Sequence, residues 1–116
     1  MSRILLVEDD ADQCLLLANY LCDEGFDIAI ACDGVKALQI LSEADPLPDV
    51  ILLDLYMPNM NGWQLKEVLA KDPRYSKIPI VIMSGDKAAT AVEADAHVLK
   101  PFDISVIPGI IAALRS

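Results

Sequence analysis

The groups in this sequence that can do chemistry stand just after apolar runs. Glu8 and Asp9 follow residues 3–7, Asp54 follows 50–53, Ser84 follows 80–83 and Lys100 follows 97–99. Three carboxylates brought to one point repel one another unless a cation joins them. An all-oxygen donor set favours a hard ion such as Mg2+, which keeps several waters and needs few carboxylates besides phosphate oxygens. Lys100 adds a second positive charge and Ser84 a hydroxyl. A carboxylate nucleophile, a metal, a lysine and a hydroxyl around one point suit phosphoryl transfer. Each residue also has a bland use. Acids before a helix act as caps, and Asp54 could cap the next element. A serine after a strand serves turns, and a lysine before a proline commonly faces water. Their joint occurrence at strand ends favours the chemical reading.

The elements that must position these residues alternate. Strands are expected over 3–7, 26–31, 50–53, 80–83 and 97–99, the third being an unbroken apolar run that reads as a strand buried on both faces. The first helix is expected over 11–24, capped by Asp10 and stopped by Gly25, with Cys14, Leu17, Ala18, Leu21 and Cys22 on its inner face. A second helix is expected over 35–44 after the Asp33-Gly34 turn, and a third over 62–71 with Leu65, Val68 and Leu69 inward. An apolar helix ends the chain. Pro108-Gly109 interrupts it, so it is either bent or begins near Ile107 with Pro108 in its first turn. Helical patterns between apolar strands imply right-handed crossovers and a parallel sheet. In such a sheet the strand ends share one edge, and ligands bind beyond it.

The composition sets limits. At 116 residues the chain is expected to be one domain, residues 1–116, with a substantial core. A net charge of −9 and a pI of about 4.3 argue against nucleic-acid binding by the domain itself. No apolar run approaches a membrane span, and no basic-plus-apolar leader opens the chain. The three cysteines, Cys14, Cys22 and Cys32, have no CxxC spacing. They read as free thiols in a reducing cytoplasm, with Cys14 and Cys22 buried.

The segments ILLVEDD, DVILLDLYMPNMNG, PIVIMSGD and HVLKPF together resemble the receiver domain of two-component response regulators, over essentially the whole length. The resemblance implies a flavodoxin-like (βα)5 three-layer sandwich with a parallel five-stranded sheet in the order 2-1-3-4-5. It implies Asp54 as phosphoacceptor. Asp9 and Asp54 would hold Mg2+ (or Mn2+) directly and Glu8 through water, with the Tyr56 backbone carbonyl as a further ligand. Lys100 would pair with Asp54 and then with a phosphoryl oxygen, its aim set by a cis Lys100-Pro101 peptide. Ser84 would swing to the phosphoryl group. The implied donor is a sensor histidine kinase or a histidine phosphotransfer protein.

The sequence departs from the family pattern in places. Only residues 86–96 separate Gly85 from His97, so the fourth helix must be short. Glu93 stands where the family usually has glycine. His97 occupies the position of the switch aromatic. It reads either as a half-buried or exposed edge residue or as a rotamer switch sensitive to pH. Tyr56 and Asp86 occupy positions that tune phosphoryl lifetime in relatives, in a direction the sequence leaves open.

The first expectation is therefore a phosphorylatable cytoplasmic receiver. It is not an enzyme beyond Mg2+-dependent self-phosphorylation and self-dephosphorylation. It signals by conformational switching to a downstream protein, with no direct nucleic-acid or membrane partner. Met1, close before the first strand, suits a natural start, and a receiver cut from a longer regulator or hybrid kinase is the other case. An adaptor that works without phosphorylation is disfavoured by the intact acidic, hydroxyl and lysine positions. A phosphatase resembling the haloacid dehalogenases would have a second Asp where Tyr56 stands. A flavin module would not place Glu8-Asp9-Asp10 where phosphate must bind.

Overall fold

The computed structural model describes residues 3–57, 59–86, 93–100 and 103–115. The strands are β1 (Arg3–Val7), β2 (Asp27–Ala31), β3 (Val50–Asp54), β4 (Ile80–Ser84) and β5 (Ala96–Leu99). They form one sheet in the order β2-β1-β3-β4-β5, and every pairing is parallel. The helices are α1 (Ala11–Asp23), α2 (Gly34–Glu43), α3 (Gly62–Lys71) and α4 (Ile107–Arg115). This is the flavodoxin-like arrangement expected from the sequence.

Side chains alternate across each strand, so every strand feeds two cores. Leu5, Val7, Ile51, Leu53 and Ile82 point to one face and pack with Ala37 and Leu41 of α2 and Leu65 and Leu69 of α3. Ile4, Leu6, Leu52, Val81 and Met83 point to the other and pack with Leu17 and Leu21 of α1 and Ile107 and Ile111 of α4. All five residues of β3 are buried, Asp54 included. Each fully buried Leu or Ile there stabilises the fold by roughly 1.5–3 kcal/mol. That packing holds the acidic end of β3 rigidly at the centre of the sheet edge.

Several expectations change in detail. Cys14, Leu17 and Leu21 form the buried stripe of α1, but Cys22 is exposed. It lies one residue, about 100° of helical rotation, past Leu21. Val68 is likewise exposed, because α3 meets the sheet along the line of Leu65 and Leu69. Helix α2 starts at Gly34 and is capped by Asp33. Of the two forms open for the last helix, the second is found. Asp103 caps a single 3₁₀ turn at Ile104–Val106, and α4 then begins at Ile107 with Pro108 in its first turn. The shortened fourth helix falls largely on residues 87–92, and the cis Lys100-Pro101 peptide involves Pro101; both lie outside the described residues. Among the described residues, no helix is long and apolar enough to cross a membrane.

Candidate functional site

The site sits at the C-terminal edge of the sheet, and the three consecutive acids divide the work there. The Asp10 carboxylate accepts from the backbone N–H groups of Asp12 and Gln13 at 2.9 and 3.2 Å, which caps α1. Glu8 and Asp9 are left for the site. Glu8 is held from below, where its N–H donates to the Ala31 carbonyl at 3.0 Å and its carbonyl accepts from the Cys14 thiol at 3.2 Å. Its side chain is only 2% exposed although it carries a carboxylate, and Asp54 is 6% exposed. Glu8, Asp9 and Asp54 each offer an oxygen, and these oxygens lie within 4.8 Å of one another. Two buried acids and one exposed acid form an all-oxygen set that fits a hard divalent cation.

Lys100 enters from the end of β5. Its Nζ is 2.9 Å from Glu8 Oε2 and 3.7 Å from Asp54 Oδ2. The lysine was expected to pair with Asp54; it bridges both acids and lies nearer Glu8. Burial pushes the Glu8 carboxyl above its ordinary value, and the Asp54 charge adds to this while the Lys100 hydrogen bond pulls the other way. Burial works against the Lys100 ammonium, but the Glu8 hydrogen bond and the charge of Asp54 outweigh it and the group titrates above its ordinary value. A buried charge pair of this kind is costly to break by removing one partner.

Ser84 ends β4 next to Lys100, whose N–H donates to the Ser84 carbonyl at 2.8 Å. Ser84 is 3% exposed, and its Oγ accepts from the Asp86 N–H at 3.1 Å. The Tyr56 N–H donates to Asp54 Oδ1 at 3.4 Å, and the Tyr56 hydroxyl donates to Asp86 Oδ2 at 2.7 Å. The Tyr56 ring meets the edge of Trp63 with centroids 5.1 Å apart. His97 is half-buried in β5, paired in register with Ile82 of β4 and three residues before Lys100. The structure thus brings Glu8, Asp9, Asp54, Ser84 and Lys100 together at one edge.

Asp33 was read only as a turn residue, and the structure gives it more to do. Its carboxylate caps α2 through the Lys36 N–H at 2.8 Å and accepts from the Asn59 side-chain amide at 2.7 Å. Those hydrogen bonds, the Lys36 N–H first, hold its carboxyl below the ordinary value. Asn59 has φ 63°, and the Met60 carbonyl accepts from the Gly34 N–H at 3.0 Å. The loop that follows Asp54 is therefore stitched to the start of α2. Asp33 and Asn59 are 26 residues apart, and no local pattern announces such a pair.

Comparison with known proteins bears on the family and the fold. The model of the response regulator receiver domain family matches residues 4–112. The DNA-binding response regulator MtrA of Mycobacterium tuberculosis strain H37Rv is 40% identical over 106 residues, 86% of this chain and 44% of MtrA. The CpxR homologue of Haemophilus influenzae, a transcriptional regulatory protein, is 37% identical over 99% of this chain and 51% of its own length. Among solved structures, the signal receiver domain of a signal transduction histidine kinase from Syntrophus aciditrophicus superposes with a TM-score of 0.88 at 28% identity, covering 98% of this chain and 89% of that one. The chemotaxis response regulator CheY4 of Vibrio cholerae gives 0.87 at 25% identity, covering 98% of each. The chain belongs to the response regulator receiver domain family.

This chain spans about half the length of the curated relatives it matches. One expectation is corrected here. Nucleic acid was excluded as a partner on the acidity of the domain, yet the MtrA proteins, which share this domain, are named DNA-binding. The charge of one domain speaks for that domain's surface and not for the protein that carries it.

Proposed function

We propose that this receiver accepts a phosphoryl group on Asp54 and passes the event on as a change of shape. The observation that carries the reading is the buried Asp54 carboxylate, bridged through Lys100 to Glu8 and set beside Ser84 at one sheet edge. The donor would be a phosphohistidine on a sensor kinase or a histidine phosphotransfer protein. An Asp54 oxygen attacks phosphorus, the P–N bond breaks, and the imidazole leaves with its electron pair and takes up a proton. Lys100 exchanges part of its carboxylate contact for a phosphoryl oxygen, and the Ser84 hydroxyl donates to another. Glu8, Asp9, Asp54 and the Tyr56 carbonyl would hold Mg2+, or Mn2+ in its place. Bound there, the ion would neutralise charge on the transferring group.

The domain would not be an enzyme in the ordinary sense, since its one substrate is its own side chain. We place it in the cytoplasm, as a receiver that either stands alone or precedes an output region. The relatives' names put DNA among the partners of that output, beside protein targets. The test is intact-mass spectrometry after incubation with acetyl phosphate. The wild-type chain should gain one phosphoryl group with Mg2+, and Asp54→Ala should gain none. Equal uptake by the two proteins would move the site away from Asp54.

A further inference from the structure

We propose that the Tyr56 hydroxyl and the Asp86 carboxylate form a latch that holds the Ser84 loop in its resting position. This rests on the reading of Asp54 as phosphoacceptor and of Ser84 as the hydroxyl that moves. Asp54 and Ser84 end adjacent strands, with Asp54 paired in register with Met83. Tyr56 stands two residues beyond Asp54, and Asp86 two beyond Ser84. Their 2.7 Å hydrogen bond therefore ties the loop after β3 to the loop after β4 across the accepting edge.

Three features make the tie specific. The bond is short and has a charged acceptor, the stronger class of hydrogen bond. It is made although Tyr56 is 53% exposed and water competes for its hydroxyl, so the ring must be held in place. Trp63 does this, edge-on at an interplanar angle of 81°. Third, Asp86 faces both ways, because its carboxylate takes the Tyr56 hydroxyl while its N–H holds Ser84 Oγ at 3.1 Å. A shift of the loop that carries Ser84 toward a phosphoryl group on Asp54 therefore works against the bond by which Tyr56 holds Asp86. The bond favours the resting arrangement alone, so its loss shifts the two-state balance toward the moved one. Tyr56 and Asp86 are thus positioning residues.

The test follows phosphoryl uptake from acetyl phosphate in Mg2+ for the wild type, Tyr56→Phe, Asp86→Ala, Asp86→Asn and the Tyr56→Phe/Asp86→Ala double variant. Tyr56→Phe keeps the ring against Trp63 and loses only the hydroxyl. It and Asp86→Ala should each take up phosphoryl about fivefold faster, the size expected for one net hydrogen bond. The double variant should be no faster than either single, since all three lack the same bond. Asp86→Asn, whose amide oxygen still accepts, should stay within about twofold of wild type. Unchanged or slower uptake in Tyr56→Phe, or single effects that multiply in the double variant, overturns the latch. If wild type takes up nothing, the phosphoacceptor reading has failed, and Trp63, the one tryptophan, decides the latch by itself. Asp86→Ala must then shift its emission while Asp86→Asn leaves it in place; matching spectra for the two refute the bond.

Discussion

Substituting Gly62 by alanine tests how the fold supports the accepting edge. Gly62 opens α3, and its N–H donates to the Leu55 carbonyl at 2.9 Å. A Cβ at this position would lie 2.6 Å from the Asp54 carbonyl oxygen, 2.7 Å from Leu55 Cα and 2.9 Å from Leu55 Cδ2. The two nearest atoms are backbone, of the last residue of β3 and of the residue after it, and cannot turn aside. The start of α3 must retreat, and the Gly62–Leu55 hydrogen bond stretches with it. Overpacking of this kind costs about 1–3 kcal/mol and a lost hydrogen bond about 1 more, against about 1 recovered from alanine's helix preference. The net loss is about 2 kcal/mol, or on the order of 10 °C in Tm for a domain of this size. Gly109 is the matched control. It also lies in a helix, but nothing stands within 4 Å of its added Cβ. Gly109→Ala should therefore be neutral or stabilising by up to about 1 kcal/mol. Urea and thermal unfolding of both variants read the difference. A Gly62→Ala protein as stable as Gly109→Ala would refute the close approach of α3 to the Asp54 backbone.

Other expectations concern the acids, the thiols and the loop. Lys100→Met strands two buried carboxylates and should cost about 2 kcal/mol at neutral pH in metal-free protein, less than a fully buried pair because Lys100 is partly exposed. Glu8 already titrates above its ordinary value in the fold, so folded protein binds that proton more tightly. Its contribution is fully present below about 4.5, the unfolded value, and is lost as pH rises through the folded one. The Lys100→Met deficit should thus shrink on acidification toward pH 4.5, and a deficit constant with pH would contradict the assignment. Burial first, and then the neighbouring acids, push the Cys14 thiol up to about 11, whereas Cys22 and Cys32 are exposed. A thiol reagent at neutral pH should find two fast cysteines and release the third on unfolding; three fast thiols would contradict the buried stripe of α1. Asp33→Ala removes both a helix cap and the tie to Asn59 and should cost about 1–2 kcal/mol. Asp33→Asn should keep most of the cap, and urea unfolding of the two variants reads the difference; equal losses would contradict the cap.

The sheet was readable because its strands are short apolar runs between helical patterns, and the polar residues that close four of them announced Glu8, Asp9, Asp54, Ser84 and Lys100. The strand order came with the family resemblance, since periodicity says which segments are strands and not which are neighbours. What escaped the sequence depends on a partner's position. Cys22 and Val68 carry the apolar character of their stripes, but the sheet covers a narrower band of α1 and α3 than spacing suggests. The Asp33–Asn59 bond joins residues on different loops. Lys100 lies nearer Glu8 than Asp54 because the geometry of three strand ends decides which acid its ammonium meets.

Sodium borohydride reduces an acyl phosphate to an alcohol and so turns phosphoaspartate into homoserine, which peptide sequencing by mass locates. Applied after acetyl phosphate and Mg2+, the reaction should place homoserine at position 54 and nowhere else. Homoserine at position 9 or at another aspartate, with position 54 unchanged, would contradict the assignment of Asp54 as the residue that receives the phosphoryl group.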